Sequence, residues 1–229
     1  MSTAGTSEPA SRADANTAEF IKQETVHREK WISLERITYK DPSGKVRTWE
    51  MVERTTKPQR VGVADAVAMV TILKRLLHYD CLILVRQFRP PLKCYTIEFP
   101  AGLIDNDEMP SEAAIRELKE ETGYVGTVSS VSPVTAMDPG LSASTLNLVY
   151  MQIDGDEPFN QRPVSNPDEG EFIEVIQAPM HELLHKLNEY SNAGDFVDAR
   201  VYTYAATLAQ FQPQEGEEGT DLQKGLFRK

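Results

Sequence analysis

The chain is poor in the residues that staple, anchor or electrostatically commit a protein. Two cysteines in 229 residues, Cys81 and Cys94, cannot build a disulfide framework, and neither belongs to a CxxC pair. They read as reduced thiols of an intracellular protein. No segment approaches the roughly 18 consecutive apolar residues of a membrane helix. The N-terminus also lacks a basic region followed by an apolar run, so a soluble protein of the cytosol and/or nucleus is expected. Basic side chains are outnumbered, 24 Lys and Arg against 35 Asp and Glu, for a net charge of −11. That balance argues against nucleic acid or an anionic membrane as partner, because both demand a basic surface that displaces counterions. The four histidines are scattered. His181 and His185 have i, i+4 spacing but no acidic third ligand in place to complete a zinc site, and they read as a solvated helix face. There is no P-loop and no Ser/His/Asp arrangement.

What is present fits one main domain with appended structure. Residues 1–18 and 213–229 read as tails. Residues 31–39 and 46–54 are β-rich runs around Asp41-Pro42-Ser43-Gly44, which has the proline and glycine placement of a type I turn, so a hairpin is predicted. Further strands are expected at 64–74, 79–88, 94–99, 127–136, 144–153 and 171–177, and helices at 110–122, 179–190 and 197–211. Several strands with one early and two late helices point to an α+β fold, a mixed sheet covered by helices on both faces. The division expected is a β region at 19–60 and the main domain at 61–212.

The helix over 110–122 carries the chemistry. Pro110 suits its first turn, Glu112 is acidic where the dipole favours it, and Gly123 stands where a helix ends. Stepping 100° per residue places Ala114, Ile115, Leu118 and Thr122 on one arc, the expected core face. Glu117, Glu120 and Glu121 fall on a neighbouring arc. Carboxylates at i, i+3 and i+4 repel one another, and neither Arg116 nor Lys119 neutralises the whole group. A divalent cation would. Hard oxygen donors without clustered histidine or cysteine favour Mg²⁺, with Mn²⁺ as the alternative.

Gly102, five residues, Glu108, seven residues, then Arg116-Glu117-Leu118-Lys119-Glu120-Glu121-Thr122-Gly123 resemble the Nudix box at every fixed position. Tyr124 occupies a last position that is more often aliphatic. The resemblance implies a Nudix fold, an α/β/α sandwich that hydrolyses nucleoside diphosphates linked to another moiety. It makes Glu117 and Glu121 the principal ligands of two or more Mg²⁺ ions, with Glu120 beside them and the Ala101 carbonyl completing the shell. It pairs Arg116 with Glu108, orienting the helix as a metal site needs. FRPP at 88–91, EFPAGLID at 98–105, MDPGLS at 137–142 and GEFIEV at 170–175 are similar to the ADP-ribose or ADP-sugar pyrophosphatase branch, from about Trp31 to Tyr204.

Adenine requires stacking surfaces, and the chain has two tryptophans, Trp31 and Trp49, both in the hairpin. A turn centred on Pro42-Ser43 would pair Trp49 with about Arg36, some 16 Å along the strand from Trp31. Two rings around one base stand only about 7 Å apart, so one tryptophan from each subunit of a homodimer is expected at a shared site. The resemblance implies the same exchange of N-terminal hairpins. In the same pocket Glu50 would accept the adenine amino group, and Arg54 and Arg89 would grip the diphosphate with bidentate guanidinium contacts. Leu103 would line it, and Asp138 would suit a ribose hydroxyl. A base must take the proton of the attacking water. Glu171 matches the branch's loop glutamate and is the expected base or late metal ligand, ahead of Glu120. The leading expectation is hydrolysis of ADP-ribose to AMP and ribose 5-phosphate. An oxidised guanine nucleoside diphosphate as substrate, and a nucleotide-binding regulator without turnover, are the alternatives.

Overall fold

The computed structural model describes residues 17–56, 62–167 and 170–211. The segments expected as terminal tails lie outside these residues, apart from the last two of the first. The described residues form two compact units, one of residues 17–56 with 136–144, the other of the remaining described residues from 62 to 211.

The first unit is a three-stranded antiparallel sheet of β1 (Glu19–Arg28), β2 (Ile32–Lys40) and β3 (Val46–Arg54). The predicted hairpin is β2–β3. The strand β1 ahead of it was not anticipated, because EFIKQETVHR has no apolar face, and every one of its residues is exposed. The loop is organised by Asp41, whose carboxylate accepts the backbone N–H groups of Ser43 and Lys45 at 2.9 and 3.0 Å, with Gly44 at φ +83°. This centres the turn on Ser43, so Trp49 pairs with Ile37 rather than Arg36. Residues 136–144 join this unit through Val52, whose N–H donates to the Leu141 carbonyl at 2.9 Å.

The second unit is a mixed sheet in the order β12 (Phe196–Val197), β6 (Cys94–Glu98), β5 (Cys81–Arg89), β4 (Ala66–Lys74), β10 (Thr145–Asp154) and β8 (Thr127–Val131). Of the shorter pairings, β7 (Ala101–Leu103) lies on β4, β9 (Thr135–Ala136) on β10 and β11 (Ile173–Pro179) on β5. β10 runs parallel to β4, and β12 parallel to β6. Both faces of β4 are covered, which is why its sequence AVAMVTILK reads as a nearly continuous apolar run. Val67, Met69 and Leu73 pack with Ala113, Ala114 and Leu118 of α1 (Pro110–Thr122). Ala68 and Val70 belong to the opposite core, with Leu183 and Leu187 of α2 (Leu183–Asn192) and Val201 and Ala205 of α3 (Ala199–Phe211). The α+β expectation therefore holds. Among the described residues no helix is long and apolar enough to cross a membrane.

The core face of α1 differs from the one predicted. Ala113, Ala114, Leu118, Glu121 and Thr122 are buried, whereas Ile115 is 42% exposed. The small Ala113 lets the helix sit close on the sheet, and this roll carries Glu121 inward. Gly123 ends the helix at φ +74°, its N–H donating to the Lys119 carbonyl at 2.9 Å. A Cβ there would meet the Val164 backbone at 2.5 Å from its carbonyl carbon and 2.7 Å from its oxygen. Gly123→Ala is expected to destabilise the fold by about 2 to 5 kcal/mol, the sum of a left-handed L-residue and an overpacked contact. Thermal unfolding would show it as a Tm lowered by roughly 4 to 20 °C for a chain of this size.

Candidate active site

Three pieces of backbone build the acidic centre. β7 lies antiparallel to β4 with Gly102 opposite Val67, the loop after it leads into α1, and β11 enters from the far side of β5. Glu121 is 4% exposed, and its Oε2 accepts the Ala101 N–H at 3.0 Å. Burial pushes its carboxyl up to about 8, helped by the charges of Glu117 and Glu171 and opposed by that hydrogen bond and by Arg89. Glu117 is also held above the ordinary carboxylate range by burial, against its bond to Arg116 and with the charges of Glu120 and Glu171 adding to the rise. Gly102 forms the floor beneath Glu117: a methyl group on it would overlap Cδ, Oε1 and Oε2 of that carboxylate.

Arg116 is the hub of the loop and the helix. Its Nε and Nη2 form a fork on Glu108 at 2.9 and 2.8 Å. Nη1 donates to Glu117 at 2.8 Å and to Glu120 at 3.1 Å, and Nη2 also reaches the Leu103 carbonyl at 3.1 Å. The guanidinium holds Glu108 below the ordinary carboxylate range. Arg116 thus fixes the residue 103–109 loop to α1 and spreads one positive charge over three carboxylates.

The donor set suits a hard divalent cation. It consists of two adjacent, partly desolvated glutamates whose charged forms are disfavoured as they stand, over a floor with room for nothing larger than glycine. Among the described residues no three His, Cys, Asp or Glu side chains are already gathered as a ligand cage. Glu171, exposed just before β11, is close enough that its charge acts on Arg89, Glu117 and Glu121.

The remaining predicted residues fall in both units. In the second, Arg89 forks onto Glu98 with two 2.7 Å bonds, so the edge expected to grip diphosphate is already occupied. Glu98 is 7% exposed and also accepts the Thr96 hydroxyl. This Glu98–Thr96 support was missed by sequence reasoning. Its one sequence signal was two polar residues at i and i+2 in CYTIE, facing away from the core residue Ile97. Leu103 is partly exposed on β7. In the first unit Trp31 and Trp49 are both largely exposed. Trp49 donates its indole N–H to the Gly140 carbonyl at 3.1 Å, and Lys30 lies over the Trp31 ring at 4.3 Å. Glu50 pairs with Arg36 at 3.5 Å, while Arg54 and Asp138 are exposed. Trp31 lies opposite Thr55 and Trp49 opposite Ile37, six residues along the ladder, or about 20 Å. One hairpin does not bring the two rings together.

With divalent cations chelated, the raised carboxyl of Glu121 has a signed consequence. Between the ordinary carboxylate range and about pH 8 the folded chain holds a proton that the unfolded chain has lost. That stabilising contribution is present at low pH and is lost as pH rises towards 8. Glu121→Gln is expected to raise the Tm of chelated protein at pH 8, to change it little at pH 5, and to remove stabilisation by added Mg²⁺. Thermal unfolding at the two pH values, with and without Mg²⁺, checks all three.

A model of the NUDIX domain matches residues 63–199. The ADP-sugar pyrophosphatase of Mus musculus is 48% identical over 187 residues, 81% of this chain and 85% of the mouse protein. The ADP-ribose pyrophosphatase of Saccharomyces cerevisiae is 43% identical over 177 residues, 77% of this chain and 76% of the yeast protein. A crystal structure of an ADP compounds hydrolase superposes with a TM-score of 0.59 at 24% identity, covering 96% of this chain and all of that one, a likeness of fold. The match spans the sheet, the Gly102 floor and the glutamate helix alike, and the chain is a member of the Nudix family of hydrolases.

Proposed function

We propose that this Nudix hydrolase cleaves the diphosphate bond of ADP-ribose and related ADP-sugars, releasing AMP and a sugar 5-phosphate. The observation that carries the reading is the 48% identity to an ADP-sugar pyrophosphatase over 85% of its length, with Glu117, Glu121 and their glycine floor all present. Nudix hydrolases generally use divalent metal ions such as Mg²⁺. Here Glu117 and Glu121 would hold Mg²⁺, two or more ions, with Ala101 contributing its carbonyl. Bound there, such a cation would supply charge neutralisation to the diphosphate and to the leaving phosphate.

The chain's own groups supply the rest. Arg116 and Glu108 hold the ligand helix to its loop. Glu98 holds Arg89 beside the acidic centre, where its remaining Nη1 is left for a phosphate oxygen. Glu171 takes the proton of the attacking water; Glu120, tied to Arg116 at 3.1 Å, is less free to do so. Trp31 of one subunit and Trp49 of the other sandwich the adenine, with Glu50, Arg54, Leu103 and Asp138 completing the pocket. Their separation within one hairpin and the wholly exposed β1 support a homodimer with shared sites.

The test is AMP release from ADP-ribose with Mg²⁺, with and without chelator, beside ADP-glucose and an oxidised guanine nucleoside diphosphate. Mg²⁺-dependent AMP from the ADP compounds supports the reading. Turnover confined to the guanine compound would move the substrate class, and no product from any of them would overturn the enzymatic assignment.

A further inference from the structure

Away from the acidic centre the second unit holds a polar cavity of about 340 Å³, lined among others by Arg75, His78, Tyr124, Asn160, Gln161 and Gln177. Arg75, just past the end of β4, is drawn into it. Its stem lies across Gly155, where a Cβ would fall 2.6 Å from Arg75 Cγ and 2.7 Å from Leu73 Cδ1, so a side chain at 155 would push the arginine out. The guanidinium then lacks a proper counterpart. Among the described residues Nη2 meets the Cys81 thiol alone, at 3.6 Å, and Nε, sealed from solvent, has no hydrogen-bond partner. No carboxylate among the described residues pairs with it. A thiol is a weak acceptor, and desolvating a guanidinium edge without an anion is costly.

The other unusual group of the cavity is Tyr124, the box position where an aliphatic residue is more common. Its ring is buried, and its hydroxyl accepts the Gln177 amide N–H at 2.8 Å, which leaves the hydroxyl's own proton to donate. The acidic group facing the cavity, Asp156, has one carboxylate oxygen occupied by the Leu76 N–H at 2.8 Å. The amide groups of Asn160 are taken by the Val125 and Asp154 backbone. Among the described residues lining the cavity, the uncommitted donors are therefore Arg75 and His78, from the turn after β4, and Tyr124, from just past the end of α1.

We propose that this cavity is a second, non-catalytic binding site for a phosphate dianion, free or as a small monoester. The guanidinium fork takes two oxygens and the Tyr124 hydroxyl a third, a tetrahedral demand that a planar carboxylate does not meet. The cavity volume lies at the small end of ligand pockets, which limits the occupant to a compact molecule.

The experiment is calorimetric titration of the full chain, with divalent cations chelated, by inorganic phosphate, by ribose 5-phosphate and by acetate. Phosphate binding that persists in Glu121→Gln and weakens about tenfold or more in Arg75→Met, which keeps the stem over Gly155, is the expected result. Tyr124→Phe should weaken it by a smaller factor, and acetate should not compete. Ribose 5-phosphate binding tighter than phosphate would identify a monoester site, and the reverse a site for the free ion. Absence of phosphate binding by the wild type up to tens of millimolar overturns the proposal. So does unchanged affinity in Arg75→Met, or, if that variant does not fold, in both Arg75→Lys and Tyr124→Phe.

Discussion

Glu171→Gln is expected to lower kcat for ADP-ribose by about 10²- to 10⁴-fold, the usual loss when a general base is removed, while leaving the affinity for ADP-ribose nearly unchanged. Among the described residues of the centre, Glu171 is the exposed glutamate that no arginine holds in an ion pair. Glu117 and Glu120 are both hydrogen-bonded to Arg116, and Glu121 is buried against the Ala101 N–H. An exposed carboxylate at the mouth of β11, near enough to act electrostatically on Glu117 and Glu121, is placed to accept a proton from water. The substitution keeps the size of the side chain and removes its basicity. Single-turnover AMP release should therefore lose its rate. Titration with Mg²⁺ separates the two roles. If Mg²⁺ affinity falls in parallel and high Mg²⁺ restores the rate, Glu171 is a metal ligand and the base assignment fails.

How much of this was legible in the sequence depended on whether a feature is local. Helix α1 begins at Pro110 and ends before Gly123 as its caps predict, because a proline in the first turn and a glycine after the last are local signals. The roll of that helix was not legible. A 100° step groups the apolar residues, but packing against β4 chose the smaller Ala113 over Ile115 and took Glu121 into the interior with it. The Arg89–Glu98 fork was hidden for a different reason. Its partners are nine residues apart and meet only through the β5–β6 register, which pairs Arg89 with Cys94 and Glu98 with Val85. Within the hairpin, a one-residue shift of the turn moved the partner of Trp49 and lengthened the separation of the two tryptophans, which strengthens the case against one hairpin enclosing a base. β7 and β12 have three and two residues, too few for any periodicity to register.

Gly102→Ala is expected to remove about 99% of activity or more while costing little stability, the reverse of Gly123→Ala. Both glycines lack room for a Cβ, and what occupies the space decides the outcome. At Gly123 the neighbour is the Val164 backbone, which can give way only by moving the chain, so the penalty falls on folding. At Gly102 the neighbour is the terminal carboxylate of Glu117, the far end of a flexible side chain that can swing aside at the cost of a rotamer change of about 0.5 to 1.5 kcal/mol. That swing withdraws the Glu117 carboxylate from beside Glu121 and disturbs its 2.8 Å bond to Arg116. A displacement of about 1 Å in such a group costs on the order of 10²-fold in rate. The expected result is a Tm within a few degrees of wild type, a weakened response of Tm to Mg²⁺, and AMP release from ADP-ribose reduced at least about a hundredfold. Partial recovery at high Mg²⁺ would follow, since the carboxylate is displaced and not deleted. A variant that keeps wild-type kcat would mean Glu117 does not need the floor that Gly102 provides, and one that unfolds would mean the collision is taken up by the backbone of β7.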